Sequence, residues 1–128
     1  MIIREAEFFR VPLFTFDKLL KGLAMWFSAS LFFESVHNDN PAPDDIWEEE
    51  IVLIQANTED DAKSKAEEWG KNKCEEYVSV AGDRVRWVFR RISSIAKLFD
   101  DEPRHGSEVF YRFLRATEVK SLLTPFQD

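Results

Sequence analysis

Apolar and polar positions follow two different periods along this chain. Residues 26–36, WFSASLFFESV, alternate every second position. Phe27, Ala29, Leu31 and Phe33 share one face, and Ser28, Ser30 and Glu34 share the other, where Trp26 and Phe32 are the aromatic members. Residues 46–56, IWEEEIVLIQA, predict a second strand. Trp47, Ile51 and Leu53 fall on one face, and Val52 and Ile54 make the opposite face apolar too. A strand apolar on both faces is expected in the middle of a sheet, covered on both sides. The intervening HNDNPAPDD, residues 37–45, is a loop, since two prolines and an Asn/Asp cluster stop regular structure.

The period changes over residues 58–76. Ala62, Ala66, Trp69, Lys73 and Tyr77 step by three or four, which is one stripe of a helix. Thr58 followed by Asp61 reads as a capping box with Asp in place of Glu, and Glu59, Asp60 and Asp61 suit the positive end of the helix dipole. A short strand over 77–81, a turn at Gly82-Asp83 and a long strand over 84–96 follow. Val85, Trp87 and Phe89 face one way and Arg84, Arg86, Val88 and Arg90 the other. The alternation slips at Arg90-Arg91, which predicts a bulge. Residues 100–108 read as a hairpin loop, 107–115 as a last strand and 117–123 as a short helix before Pro125.

This order predicts an α+β fold: an antiparallel sheet of about five strands, one long helix packed on one face, and short N- and C-terminal segments. The regular βαβ repetition of a parallel sheet is absent. The expected core is Phe27, Leu31, Phe33, Ile51, Leu53, Trp69, Val85, Trp87 and Phe89.

The length of 128 residues fits a single domain. With 45% hydrophobic and 32% charged residues the chain is globular, and its one cysteine excludes a disulfide framework or a Cys-based zinc cage and fits a reducing cytoplasm. Residues 1–24 are apolar, but charges from Arg4 to Lys21 interrupt every run, so they are neither a signal peptide nor a membrane span. They read as an N-terminal extension, expected to be dispensable, ahead of a single α+β domain over 25–128.

WFSASLFFESV at 26–36, WEEEIVLIQA at 47–56, the helix with Ala62, Ala66 and Trp69, GDRVRWVF at 82–89 and GSEVFYRFL at 106–114 occur in order. Together they resemble the bacterial domain of unknown function 4288 family over about residues 25–115. The resemblance implies a small bacterial cytoplasmic protein and no particular activity. It also implies a domain starting near Met25.

Motif-based chemistry is sparse. There is no G-x-S-x-G elbow, H-E-x-x-H, P-loop or G-x-G-x-x-G. His37 stands near Glu34, Asp39, Asp44 and Asp45, but without fixed ligand spacing a solvated Asx-rich loop is the simpler reading. His105 is expected in solvent and Cys74 as a small filler on the helix flank. No catalytic residue, metal site or cofactor is assigned.

Charge is more informative. The net charge is −7, with ten acidic residues and no Lys or Arg between Glu34 and Asp61, and four arginines and no acid between Arg84 and Arg91. Cross-strand pairing of the acidic strand 47–50 with the arginine strand comes first among the readings. A partner-binding face comes second and nucleic acid last, because the aromatics point away from the arginines. One helix covers one sheet face, so the other is expected to expose an apolar patch. Trp26, Phe32, Val52 and Ile54, rimmed by Arg84, Arg86 and Arg90, are the candidate partner-binding residues, with Val88 and Ile92 beside them. A homodimer or a protein partner would cover them, unless residues 1–24 fold back as a lid.

The functional expectation is a non-enzymatic interaction or adaptor module, with immunity- and antitoxin-type proteins as a class analogy. The alternative is a small enzyme or ligand-binding domain with a pocket between helix and sheet.

Overall fold

The computed structural model describes residues 24–39, 46–73 and 75–124. The expectations for residues 1–23, for residues 40–45 of the 37–45 loop and for Cys74 fall outside them. The elements are β1 (Met25–His37), β2 (Trp47–Ala56), α1 (Glu59–Asn72), β3 (Glu75–Val78), β4 (Arg84–Lys97) and α2 (Ala116–Leu123). The strands form one antiparallel sheet in the order β2-β1-β4-β3. The α+β architecture and the antiparallel sheet match the sequence reading, and α2 is the short helix read at 117–123, but among the described residues the sheet has four strands rather than five. No described helix is long and apolar enough to cross a membrane.

The missing strand is 107–115. Its residues form no strand and join no ladder. Instead Arg112 Nη1 lies 3.4 Å from Glu49 on the sheet face away from α1, so this segment brings a cationic side chain to that face. Ser107 folds the loop before it, its hydroxyl donating to Asp100 and accepting from the Arg104 N–H, both at 2.8 Å.

Helix α1 starts as the sequence dictates. The Thr58 hydroxyl accepts from the Asp61 N–H at 3.0 Å, and three acids occupy the first turn. Its buried stripe is Ala62, Ala66 and Gly70. Small residues at four-residue spacing let the helix axis approach β1 and β4 closely. Trp69 sits at the rim of this contact and is exposed, and Tyr77 belongs to β3.

The core gathers Met25, Phe27, Ala29, Leu31 and Phe33 of β1 with Ile54, Ala56, Ala62 and Ala66, and Val52, Trp87, Phe89, Ile92 and Ile95 pack against it. Val85 is also buried. Among the described residues Phe33 is the largest fully enclosed side chain, edge-on to Phe89 at 5.7 Å and to Trp69 at 6.4 Å between ring centroids.

Two of the expected core residues, Ile51 and Leu53, lie on the wrong face for it. In the β1–β2 register Phe27 opposes Ile54 and Ala29 opposes Val52. Directly opposed residues share a face, so Val52 and Ile54 go under α1 and Ile51 and Leu53 point away. β2 is also an outer strand rather than a central one.

The predicted bulge in β4 is present. Phe32 opposes Arg91 and Phe33 opposes Phe89, which leaves Arg90 as the extra residue. A second irregularity follows, since Ser30 opposes Ser94 and Leu31 opposes Ile92. The first bulge inverts the alternation and carries Ile92 to the helix side, whereas sequence parity alone places it on the outer face with Val88.

Candidate partner-binding surface

The outer strand β2 presents Trp47, Ile51 and Leu53 on the face away from α1, with exposures of 49%, 43% and 40%. Two of the predicted partner-binding residues, Trp26 and Phe32, share this face and are half-buried. The Phe32 ring meets Trp47 edge-on at 6.4 Å. Ile54 is buried and Val52 half-buried beneath the helix, so neither belongs to this surface. Ile51 and Leu53 stand in their place.

Glu49 interrupts the row, but it is held down. It accepts a hydrogen bond from the fully buried Ser30 hydroxyl and pairs with Arg112. The row is therefore three large apolar side chains around one neutralised carboxylate.

The expected arginine rim is engaged elsewhere. Arg84 pairs with Asp39 and with Glu76 at 3.3 Å, Arg86 lies 3.9 Å from Asp39, and Arg90 donates to Glu34 at 2.8 Å. These contacts belong to β1, β3 and the turn after β1. They correct the expected pairing with the acidic strand, because β1 separates β2 from β4 and the two cannot meet across a ladder. The turn is a staple. Asn38 and Asp39 hold positive φ values of 51° and 64°, the Asn38 side chain accepts from the Arg84 N–H at 3.0 Å and donates to Asp83 at 3.0 Å, and the Asn38 N–H reaches the Arg84 carbonyl at 2.8 Å. His37 Nδ1 lies 3.9 Å from Asp83 in the same cluster.

On the helix side of β2, Glu48 and Glu50 follow the same two-residue period and Lys73, the C-cap of α1, pairs with Glu50. The Lys73 ammonium also lies 5.2 Å from the Trp69 ring centroid and 5.9 Å from that of Phe33. Glu50 Oε2 is buried without a hydrogen-bond partner, and Glu48, when protonated, can donate to the Glu50 carboxylate. That bond to Glu50, then burial and the Glu50 charge, holds Glu48 above the ordinary glutamate range. Burial pushes Glu50 upward, but the hydrogen bonds from Glu48 and Lys73 and the Lys73 charge outweigh it and leave Glu50 low. Lys73 is raised, first by its hydrogen bond to Glu50 and, against burial, by the charges of Glu50, Glu48 and Glu75. The sequence reading pairs the acids of 47–50 with the arginine strand instead, because the partner lysine arrives from the far end of α1.

Residues 26–111, from β1 through β4 to Tyr111, match the family described as Domain of unknown function (DUF4288). The chain belongs to this family. No curated protein and no solved structure matches it significantly.

The DUF4288 domain has one further concavity of interest, a shallow groove of about 460 Å³ between α1 and β4 lined by Lys63, Glu67, Lys71, Phe89, Arg90, Arg91 and Ile92. It opens beside the first bulge, where four cationic residues line it with one acid. Sequence reasoning noted the bulge and named a pocket between helix and sheet as its alternative, but not these lining residues, since Lys63 and Lys71 are remote from the bulge along the chain. Among the described residues of the DUF4288 domain, no three His, Cys, Asp or Glu side chains are grouped to hold a metal ion.

Proposed function

We propose that this DUF4288 domain is a non-enzymatic protein-interaction module of the cytoplasm, an adaptor that binds a protein through the outer face of β2. The observation that carries the reading is the row Trp47, Ile51 and Leu53, exposed together on one face of one strand. Isolated exposed apolar residues are ordinary, but three on one strand face beside half-buried aromatics have the composition of an interface centre. The arginines named from sequence serve the fold in this reading and form no part of the contact, since each is paired internally. Binding driven by apolar burial is also less sensitive to salt than binding through the acidic surplus.

The test is affinity capture with the full chain at low and high salt, compared with Trp47→Lys and Leu53→Lys. The expected result is a protein partner retained at high salt and lost in both variants while their unfolding midpoints stay unchanged. Equal capture by the native chain and the variants overturns the reading.

The groove supports a second reading, a small ligand-binding domain for an anion, because Lys63, Lys71, Arg90 and Arg91 line it. Titration of the full chain with inorganic phosphate, followed by amide shifts at Lys63 and Arg91, tests it. Unmoved signals remove it.

A further inference from the structure

We propose that the outer edge of β2 pairs antiparallel with β2 of a second copy, joining the two sheets across a two-fold axis at Ile51. The proposal rests on the reading of β2 as the docking element and names its occupant.

The free edge follows from the ladder. The β1–β2 register runs without irregularity from Met25↔Ala56 to Glu34↔Trp47, and the Ser35 N–H donates to the Ile46 carbonyl at 3.0 Å. Backbone groups of an antiparallel strand face alternate sides. The even-numbered residues from Ile46 to Ala56 therefore bond β1, and Trp47, Glu49, Ile51, Leu53 and Gln55 turn their N–H and C=O groups outward. The Lys65 ammonium confirms the direction at one end, donating to the Gln55 carbonyl at 2.9 Å. From Glu49 to Leu53 the outward groups have no strand beside them among the described residues.

The two sheet edges are managed differently. β3, at the opposite side, has only four residues, and a very short edge strand is a common device against pairing. β2 has ten residues, with apolar side chains within its open stretch. Lys65 and Lys73, which could blunt the edge, are tied to Gln55 and Glu50 instead.

Charge and register select a second copy. Acid is confined to the first half of β2, at Glu48, Glu49 and Glu50, and the second half is neutral. With the axis at Ile51, Glu49 opposes Leu53 of the partner subunit and Glu50 opposes Val52 of the partner subunit, so no glutamate faces another across the ladder. Trp47 then lies diagonal to Leu53 of the partner subunit, and the exposed row continues across the axis. An axis at Val52 requires the Gln55 carbonyl for two of its central bonds, and Lys65 occupies that carbonyl. The axis at Ile51 keeps its three central pairs clear of it. A basic peptide is the competing occupant, but Glu49 and Glu50 are already neutralised by Arg112 and Lys73.

Sedimentation equilibrium of the full chain from micromolar to millimolar concentration should show a monomer–dimer equilibrium. Amide exchange at Ile51 and Leu53 should slow at least about tenfold at the high end, as these groups gain acceptors. Ile51→Pro removes an outward N–H and no β1 bond, and should weaken the dimer at least about tenfold. Because residue 51 opposes itself only with this axis, a mixture of Ile51→Lys and Ile51→Glu chains should form the mixed dimer in preference to either homodimer. A monomer throughout overturns the proposal, as does a dimer in which the Ile51 and Leu53 amides of the native chain are unchanged, or an absence of preference in the mixture. A monomer that still captures a partner in a Leu53-dependent way removes the second copy and leaves the interaction reading standing. Capture that is indifferent to Trp47 and Leu53 removes that reading.

Discussion

Glu50 and Lys73 form an ion pair that fastens the outer strand of the sheet to the C-terminal end of α1. The Lys73 ammonium also lies over the Trp69 and Phe33 rings. Lys73→Met keeps much of the apolar stem and leaves a half-buried Glu50 without its counter-ion, at an expected cost of about 1 kcal/mol. Urea unfolding midpoints of the two proteins check this.

The same cluster sets a pH dependence. Glu48 holds its proton more tightly in the folded protein than in the unfolded chain. Its stabilising contribution is thus complete below the ordinary glutamate range and is lost as pH rises through its raised value. Glu50, held low, contributes above that range and loses its share as pH falls through its lowered value. Glu48→Gln keeps a donor beside Glu50 at every pH. Unfolding midpoints of the native chain should therefore decline just above the ordinary glutamate range, and those of Glu48→Gln should not. Parallel profiles would contradict the shared proton.

Gly70→Ala should destabilise. In an open helix position this change gains about 0.5–1 kcal/mol, but a Cβ at Gly70 would stand 2.6 Å from Phe89 Cδ1 and 2.9 Å from Leu31 Cδ2. Leu31 is fully buried and the Phe89 ring is stiff, so overpacking should outweigh propensity for a net loss of roughly 1–2 kcal/mol. Thermal unfolding measures the sign directly.

Phe33→Ala should cost roughly 3–5 kcal/mol, the range for an enclosed aromatic. Trp87→Ala should cost less despite the larger side chain, because Trp87 is only half-buried. A reversed order in chemical denaturation would place the centre of the core on β4 rather than β1.

Asn38 carries both a positive φ and two side-chain bonds. Asn38→Gly relieves the backbone and loses the bonds, whereas Asn38→Ala loses both advantages. The alanine variant should be the less stable, by about 1 kcal/mol. Equal midpoints would show that the side-chain bonds alone fix the turn.

The local signals in this chain were readable where one residue type has one use. Thr58 with Asp61 announces a helix start, and the doubled arginine at 90–91 announces a bulge. The face of β2 was not readable, because Ile51 with Leu53 and Val52 with Ile54 are equally apolar. Only the register against Phe27 and Ala29 separates core from surface there. The surface row was accordingly mistaken for core, and Val52 and Ile54 for surface. Residues 107–115 alternate like a strand, yet alternation describes a side-chain pattern and cannot supply a neighbouring backbone. The Glu48–Glu50–Lys73 cluster was hidden for a related reason, since its members meet only when α1 folds back along β2.

The two bulges also make β4 longer than its partner demands. Val85 to Lys97 runs opposite Phe27 to His37 with two residues to spare. Loss of codon 90 or codon 93 would shorten the chain yet leave every remaining β1–β4 partner unchanged, whereas loss of one codon within β1 would invert a row of core side chains. Across related sequences, length variation inside the sheet should therefore concentrate at these two sites, and β1 should keep a constant length.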